Sequence, residues 1–274
     1  MTHRVSNSTT PLTCSATEPA GAPQPSGTGA TSTPGAAADT RGERAPSRTL
    51  TADVLVVGAG ILGLHAAGLL ARQNARVVLC DPVDPRTDLT AGTATPLGAL
   101  MPHMPDKWNA KKQFQFDALV SLEDLAGALH SDTGHDPGYA RCGRVMPIRT
   151  EHFKGLAEQR CQESARNWQS DQVVKTPDAL RMSLEPPGTG AAWLDPEVAP
   201  HGVFKDPLAA RIDARAYRRA LAVQCADLPM CAALFNHALV SLDHTARRAQ
   251  IAATDGTGTV QVDYHIVLMA AGFQ

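Results

Sequence analysis

The sequence predicts an α/β fold organised around a parallel β-sheet, and three observations predict it. First, "DVLVV" (Asp53 to Val57) is a short, β-rich apolar run, the pattern of a parallel strand buried on both faces. Second, Gly58, Gly60 and Gly63 follow at GxGxxG spacing and open "ILGLHAAGLLARQ", which has the length and Ala/Leu content of a helix. Third, after a turn at Gln73-Asn74, "RVVLC" (Arg76 to Cys80) supplies another strand, and it ends on Asp81. Strand, glycine turn, helix, strand and acid make one βαβ unit, with the acid just over 20 residues beyond the first glycine.

Each residue type has a physical task in such a unit. Gly58 permits the tight strand-to-helix turn. Gly60 lets the backbone approach a pyrophosphate where a Cβ would collide, and Gly63 lets the helix pack closely on the strand. The unpaired N–H groups at the helix start face phosphates, and Asp81 accepts hydrogen bonds from a ribose diol. The stretch from Val54 to Ala71 reaches the roughly 18 residues at which a membrane span becomes thinkable, but its glycines mark a nucleotide turn instead. His65 is expected to be a packed or edge histidine within the helix, and Gly68 a close-packing position.

Composition sets the context. With 274 residues, 43% of them hydrophobic, the chain can bury a sizeable core as a globular protein without a membrane span. A net charge of −2, with Lys and Arg scattered or in short doublets, argues against a nucleic-acid partner or an anionic membrane face. The six cysteines show no CxxC pair and no zinc-ligand spacing, so they read as free thiols in a reducing, cytoplasmic compartment, with no metal site. Residues 1–48 are dominated by Ser, Thr, Pro, Gly and Ala and cannot bury enough surface to offset the entropy of ordering. They are expected to form a disordered extension with no secretory signal, an organelle transit peptide being the less favoured alternative because the arginines are sparse and no amphipathic helical face is present.

The remaining elements follow in order. "FQFDALVSLEDLAGALH" carries a helical stripe ended near Gly134; "RCGRVMPIRT" is expected to hold a strand; "GLAEQRCQESARNWQ" places Ala157, Cys161, Ala165 and Trp168 on one helical face. Residues 176–207, rich in Pro and Gly, suggest short strands and turns of a substrate-side domain. Asp213 is the expected N-cap of "ARAYRRALAVQCADL", whose Tyr217, Leu221, Cys225 and Leu228 form the buried stripe, with Arg215, Arg218 and Arg219 on a solvated face. "HALVSLDH", "AQIAATDG" and "TVQVDY" read as strands, and "HIVLMAAG" as a third parallel strand returning to the first sheet.

This order of parts resembles the FAD-dependent amine oxidoreductases of the D-amino acid oxidase and glycine oxidase type. Four pieces carry the likeness: "DVLVVGAGILGLHAAGLLARQNARVVLCDP", "TAGTATPLGALMPHMP", "GVFKDPLAARIDARAYRRAL" and "DYHIVLMAAG". The resemblance implies a Rossmann-like FAD-binding domain with an inserted α+β substrate domain. Residues 49–140 would be the first part of the FAD-binding domain, 141–207 part of the substrate domain, and 208–274 the second, incomplete part of the FAD-binding domain.

Carried over residue by residue, the resemblance places FAD on Gly58, Ala59, Gly60, Ile61, Leu62 and Gly63 at the pyrophosphate, and on Asp81 at the adenosine ribose. Gly92, Thr93 and Ala94 would approach the phosphates and flavin ring, the Val240 backbone would meet the adenine, and Gly272 matches the glycine after the late parallel strand. His103, Trp108, Lys111 and Lys112 are candidates to border the flavin, and no catalytic base is named. The implied chemistry is oxidation of the C–N bond of an amino acid or secondary amine, with hydride passing to the flavin.

The "GAL.P" pattern from Gly98 to Pro102 also resembles the oxidase half of the bifunctional enzyme that trims carboxymethyl groups from a modified tRNA wobble uridine. A nicotinamide-dependent dehydrogenase shares the glycine turn and the acid, and an inactive flavin-binding fragment is a further alternative. The family's chain continues past the "AAG" strand, whereas this one stops at Gln274. A truncated or split product is therefore expected, with exposed apolar edges that favour a homo-oligomer or a complementing chain.

Overall fold

The structure is a computed structural model, and it describes residues 48–88, 97–169, 180–189 and 193–272. In chain order the first elements are β1 (Arg48–Val57), α1 (Ile61–Arg72), β2 (Val77–Asp81), β3 (Gly98–Leu100), α2 (Ala110–Thr133), β4 (Arg144–Pro147) and α3 (Glu151–Asn167). They are followed by β5 (Ser183–Glu185), a 3₁₀ turn at Pro196–Val198, β6 (Val203–Asp206), β7 (Ala210–Ile212), α4 (Ala214–Asp227), β8 (Cys231–Phe235), β9 (His237–Asp243), β10 (Arg248–Ala253) and β11 (Thr259–Met269).

Side-chain alternation in the first two strands sets the layers. Val54, Val56, Val77 and Leu79 point to one face, where they pack with Leu64, Ala67 and Ala71 of α1 and with Tyr217, Leu221 and Cys225 of α4. Leu55, Val57, Val78 and Cys80 point to the other, against Ala249, Ile251, Val260, Val262 and Tyr264 of the closing strands. The run Val54–Val57, apolar at every position, thus finds two cores, as a buried parallel strand requires.

The sheet order is β8-β2-β1-β11-β10-β9. β8, β2, β1 and β11 are parallel, and β10 and β9 extend the sheet as an antiparallel meander. β8, which carries "CAALF", is a parallel strand the sequence reading passed over: five residues behind a helix end are too short a run to separate from a loop. "TVQVDY" and "HIVLM" are one strand, β11, and it is the fourth parallel strand rather than the third. Only residues 259–263 of it pair with β10, so its outer edge from His265 to Met269 has no strand partner among the described residues.

A second core lies beside this sheet. Phe116, Leu119 and Val120 of α2 pack with Ala157 of α3 and with Trp168, Met182, Phe204 and Leu208. The antiparallel sheet β4-β6-β5 belongs to it, while β3 pairs with β7. α2 and α3 each begin four residues or more before their apolar stripes, because the Asn109 side chain accepts the Lys112 N–H and the Thr150 hydroxyl accepts the Phe153 N–H. Gly134 closes α2 in the left-handed conformation (φ 71°).

Candidate dinucleotide site

The glycine turn leaves β1 at its carboxyl end and enters α1. Its three glycines differ in what surrounds them. Gly58 sits at φ 107°, and a Cβ built on it would fall 2.4 Å from the Ala270 carbonyl oxygen. A Cβ on Gly63 would fall 1.9 Å from the Gly58 carbonyl oxygen. Around Gly60, by contrast, nothing among the described residues lies within 4 Å of that position. Two glycines are therefore demanded by the protein's own backbone, and the third leaves an open cradle.

The cradle is lined by backbone donors. Gly60 is the N-cap of α1 and brings no capping side chain, and the first N–H to bond within the helix is that of Leu64, to the Gly60 carbonyl at 3.0 Å. The N–H groups of the first turn are thus turned to the space in front of the helix, where the helix dipole favours an anion. Ile61 and Leu62 form that turn, and the Leu62 side chain is 81% exposed.

The Ala59 peptide is held from both sides. Asp81, at the end of β2, accepts the Ala59 N–H on Oδ2 at 2.6 Å and the Val83 N–H on Oδ1 at 2.9 Å. Its carboxylate has further lone pairs open to a hydroxyl. On the opposite side Arg218 of α4, 1% exposed, donates from Nε to the Ala59 carbonyl at 3.1 Å. Its Nη1 reaches the Asp88 carbonyl oxygen at 3.2 Å and Oδ2 at 3.4 Å. Arg218 therefore does not lie on a solvated face. Helical spacing put it off the apolar stripe, but a long side chain can run inward from the border of that stripe when it finds an acceptor and a counter-charge.

The neighbouring groups are neutral and packed. The Tyr217 hydroxyl and His65 Nε2 lie 2.7 Å apart; burial pushes the tyrosine up to about 12 and holds the imidazole below its ordinary value. Burial, and then the Asp81 charge, pushes the Cys80 thiol up to about 12. Gly68 meets Gln224 and Cys225 only at ordinary contact distance, 3.6 Å and 3.7 Å from a built Cβ, so it is not a forced close-packing position.

Of the other residues singled out in the sequence, Gly272 (φ 77°) follows β11, whose end is fixed to β1 by the Ala270 N–H on the Val57 carbonyl at 2.7 Å. This brings the "AAG" end against Gly58. Asp81 pairs with Phe235, the last residue of β8, and the chain passes through Asn236 (φ 59°) directly into β9, where Val240 is 65% exposed. Gly92, Thr93 and Ala94 lie outside the described residues. Trp108 stacks edge-on with Phe116 at 6.1 Å, and Lys112 folds back onto the carbonyls of Met104 and Asp106, so both are engaged by their own segment.

The comparisons with known proteins bear on this arrangement. The sequence model of the FAD dependent oxidoreductase (DAO) family matches residues 53–274. The chain belongs to that family. Comparison with curated protein sequences gives no match. Among solved structures, glycine oxidase from Geobacillus kaustophilus superposes with a TM-score of 0.59 at 17% identity, covering 81% of this chain and 55% of that one. Iminodiacetate oxidase from Chelativorans sp. BNC1 gives 0.56 at 21% identity, covering 80% and 55%. L-Amino acid deaminase from Proteus myxofaciens gives 0.58 at 14%, covering 84% and 48%. These likenesses show a common fold, and the chain spans about half the length of the structures it matches.

Among the described residues no group of three or more His, Cys, Asp or Glu is arranged to hold a metal ion, and no helix is long and apolar enough to cross a membrane.

Proposed function

We propose that the chain binds FAD across the carboxyl ends of β1, β2 and β11, and that it serves an oxidoreductase acting on the C–N bond of an amino acid or secondary amine. The observation that carries the cofactor half is the contrast within the glycine turn: Gly58 and Gly63 are packed against backbone, while the Cβ position of Gly60 has no neighbour within 4 Å among the described residues, which lets a phosphate approach the main chain. Gly60, Ile61, Leu62 and Gly63 would present N–H groups to the pyrophosphate, and Asp81 would accept from the adenosine ribose. The Val240 backbone would meet the adenine and Gly272 would lie on the flavin side, and by the family resemblance Gly92, Thr93 and Ala94 would approach the phosphates and flavin ring.

FAD, when bound, supplies the acceptor for a hydride from the substrate carbon. This chain's residues would hold the dinucleotide in one register and keep water from its inner side, with no acid or base of their own required. The substrate class rests on the family and on structural neighbours whose names are those of amino acid and amine oxidases. Ile266 and Met269 on the unpaired edge of β11 are 62% and 57% exposed. Polypeptide beyond the described residues, from this chain or a complementing one, is proposed to cover that edge and complete the substrate wall.

The test is an anaerobic screen. The full chain, loaded with FAD, is mixed with amino acids and secondary amines, and flavin absorbance is followed. Bleaching by at least one of them is expected. Bound flavin that none of them reduces, with or without added carboxyl-terminal polypeptide from a relative, would refute the amine reading.

A further inference from the structure

We propose that Arg218 is a positioning residue for the dinucleotide turn, setting the orientation of the Ala59–Gly60 peptide so that the Gly60 N–H faces the phosphate cradle. The inference rests on the FAD-site reading above and adds a residue from α4 to it, 159 positions further along the chain than Ala59.

In a trans peptide the carbonyl of one residue and the N–H of the next point in opposite directions. Arg218 Nε draws the Ala59 carbonyl toward the buried side, at 3.1 Å. The Gly60 N–H of the same peptide then points away from the Arg218 guanidinium, at the N-cap of α1, where the Cβ position of Gly60 has no neighbour within 4 Å among the described residues. Asp81 fixes the preceding peptide through the Ala59 N–H at 2.6 Å. With its N–H and its carbonyl both held by charged groups, Ala59 cannot flip either flanking peptide without breaking a charge-assisted bond.

The guanidinium also joins two segments. Its Nη1 contacts Asp88 at both the backbone and the carboxylate, and Asp88 stands one residue before the stretch 89–96 that holds Gly92, Thr93 and Ala94. A lysine could supply the charge but not the planar fork that serves the Ala59 carbonyl and Asp88 together.

The decisive experiment compares the wild-type full chain with Arg218→Lys and with Tyr217→Phe, a neighbour on the same helix whose hydroxyl meets His65 of α1. Affinities for FAD and ADP are measured by fluorescence quenching and calorimetry, adenosine by ligand-observed NMR, and each Tm is recorded. Arg218→Lys is expected to weaken FAD and ADP at least tenfold while adenosine, which has no phosphate, changes less than twofold; Tyr217→Phe leaves all three unchanged. In the wild type, ADP should shift the Gly60 amide and Arg218 Nε–H resonances together, a readout that holds if Arg218→Lys does not fold. Equal losses for ADP and adenosine, unchanged FAD affinity, or an unmoved Arg218 signal beside a shifted Gly60 would overturn the inference alone. A wild type that binds neither FAD nor ADP would overturn the cofactor reading and the inference with it.

Discussion

Replacing Gly60 with alanine separates folding from cofactor binding, because the new methyl group meets no neighbour among the described residues. Gly60 has φ −72° and ψ 176°, a conformation open to any L-residue, and nothing among the described residues lies within 4 Å of the added Cβ. Alanine at a position whose dihedrals it accepts stabilises by about 0.4–1 kcal/mol through the unfolded chain. Against this, alanine is a poorer N-cap than glycine by an amount of similar size, some tenths to about 1 kcal/mol. The two offset each other, so the apo protein should melt within about 2–4 °C of wild type, the shift that 1 kcal/mol produces in a domain of this size.

The same methyl stands where a pyrophosphate must approach the main chain. Losing one or two N–H contacts to a charged phosphate costs about 1.5–3 kcal/mol each, or at least tenfold in FAD affinity. The assay is paired: differential scanning fluorimetry of the apo chain, and FAD titration by flavin fluorescence. Unchanged FAD affinity in a folded Gly60→Ala variant would refute the assignment of the cradle, and a collapse of Tm would refute the geometry of the turn.

Gly63→Ala should behave oppositely, since its Cβ would lie 1.9 Å from the Gly58 carbonyl oxygen; a loss of about 3 kcal/mol or more is expected by urea denaturation with or without FAD. Phe116→Ala, between Trp108 at 6.1 Å and Trp168 at 5.8 Å, should cost about 3–5 kcal/mol in the same assay. Asp213→Ala removes the acceptor of the Arg215 and Ala216 N–H groups at the start of α4 and should cost about 1 kcal/mol. Burial lowers the His65 pKa in the fold, so below about pH 6.5 the unfolded chain binds the proton more readily and stability falls with pH until the folded histidine titrates. A plot of Tm between pH 7.5 and 5 should therefore be flatter for His65→Gln than for wild type, and parallel plots would contradict this account.

Much of the dinucleotide unit was legible because its signals are local. The run Asp53 to Val57, the glycine spacing and Asp81 are each a short pattern with one physical meaning, and strand, helix and strand appear where the pattern puts them. Strand extents were less visible: β1 starts at Arg48, because its polar half pairs with residues 260–264 of β11, a partner more than 200 residues away. The parallel strand β8 hid in five apolar residues for the same reason, since its identity comes from pairing with β2. Arg218 shows the limit most clearly. Periodicity classifies a residue by where its Cα sits on the helix, while the function of a long side chain depends on what its far end meets, here the Ala59 carbonyl and Asp88.

The most direct test of the central claim is equilibrium titration of the purified full chain with FAD, followed by ultrafiltration and a visible spectrum of the retained protein. The account predicts saturable binding with one flavin per chain, released as FAD on denaturation. A folded chain, shown to be so by circular dichroism, that retains no FAD at any concentration below the millimolar range would contradict it.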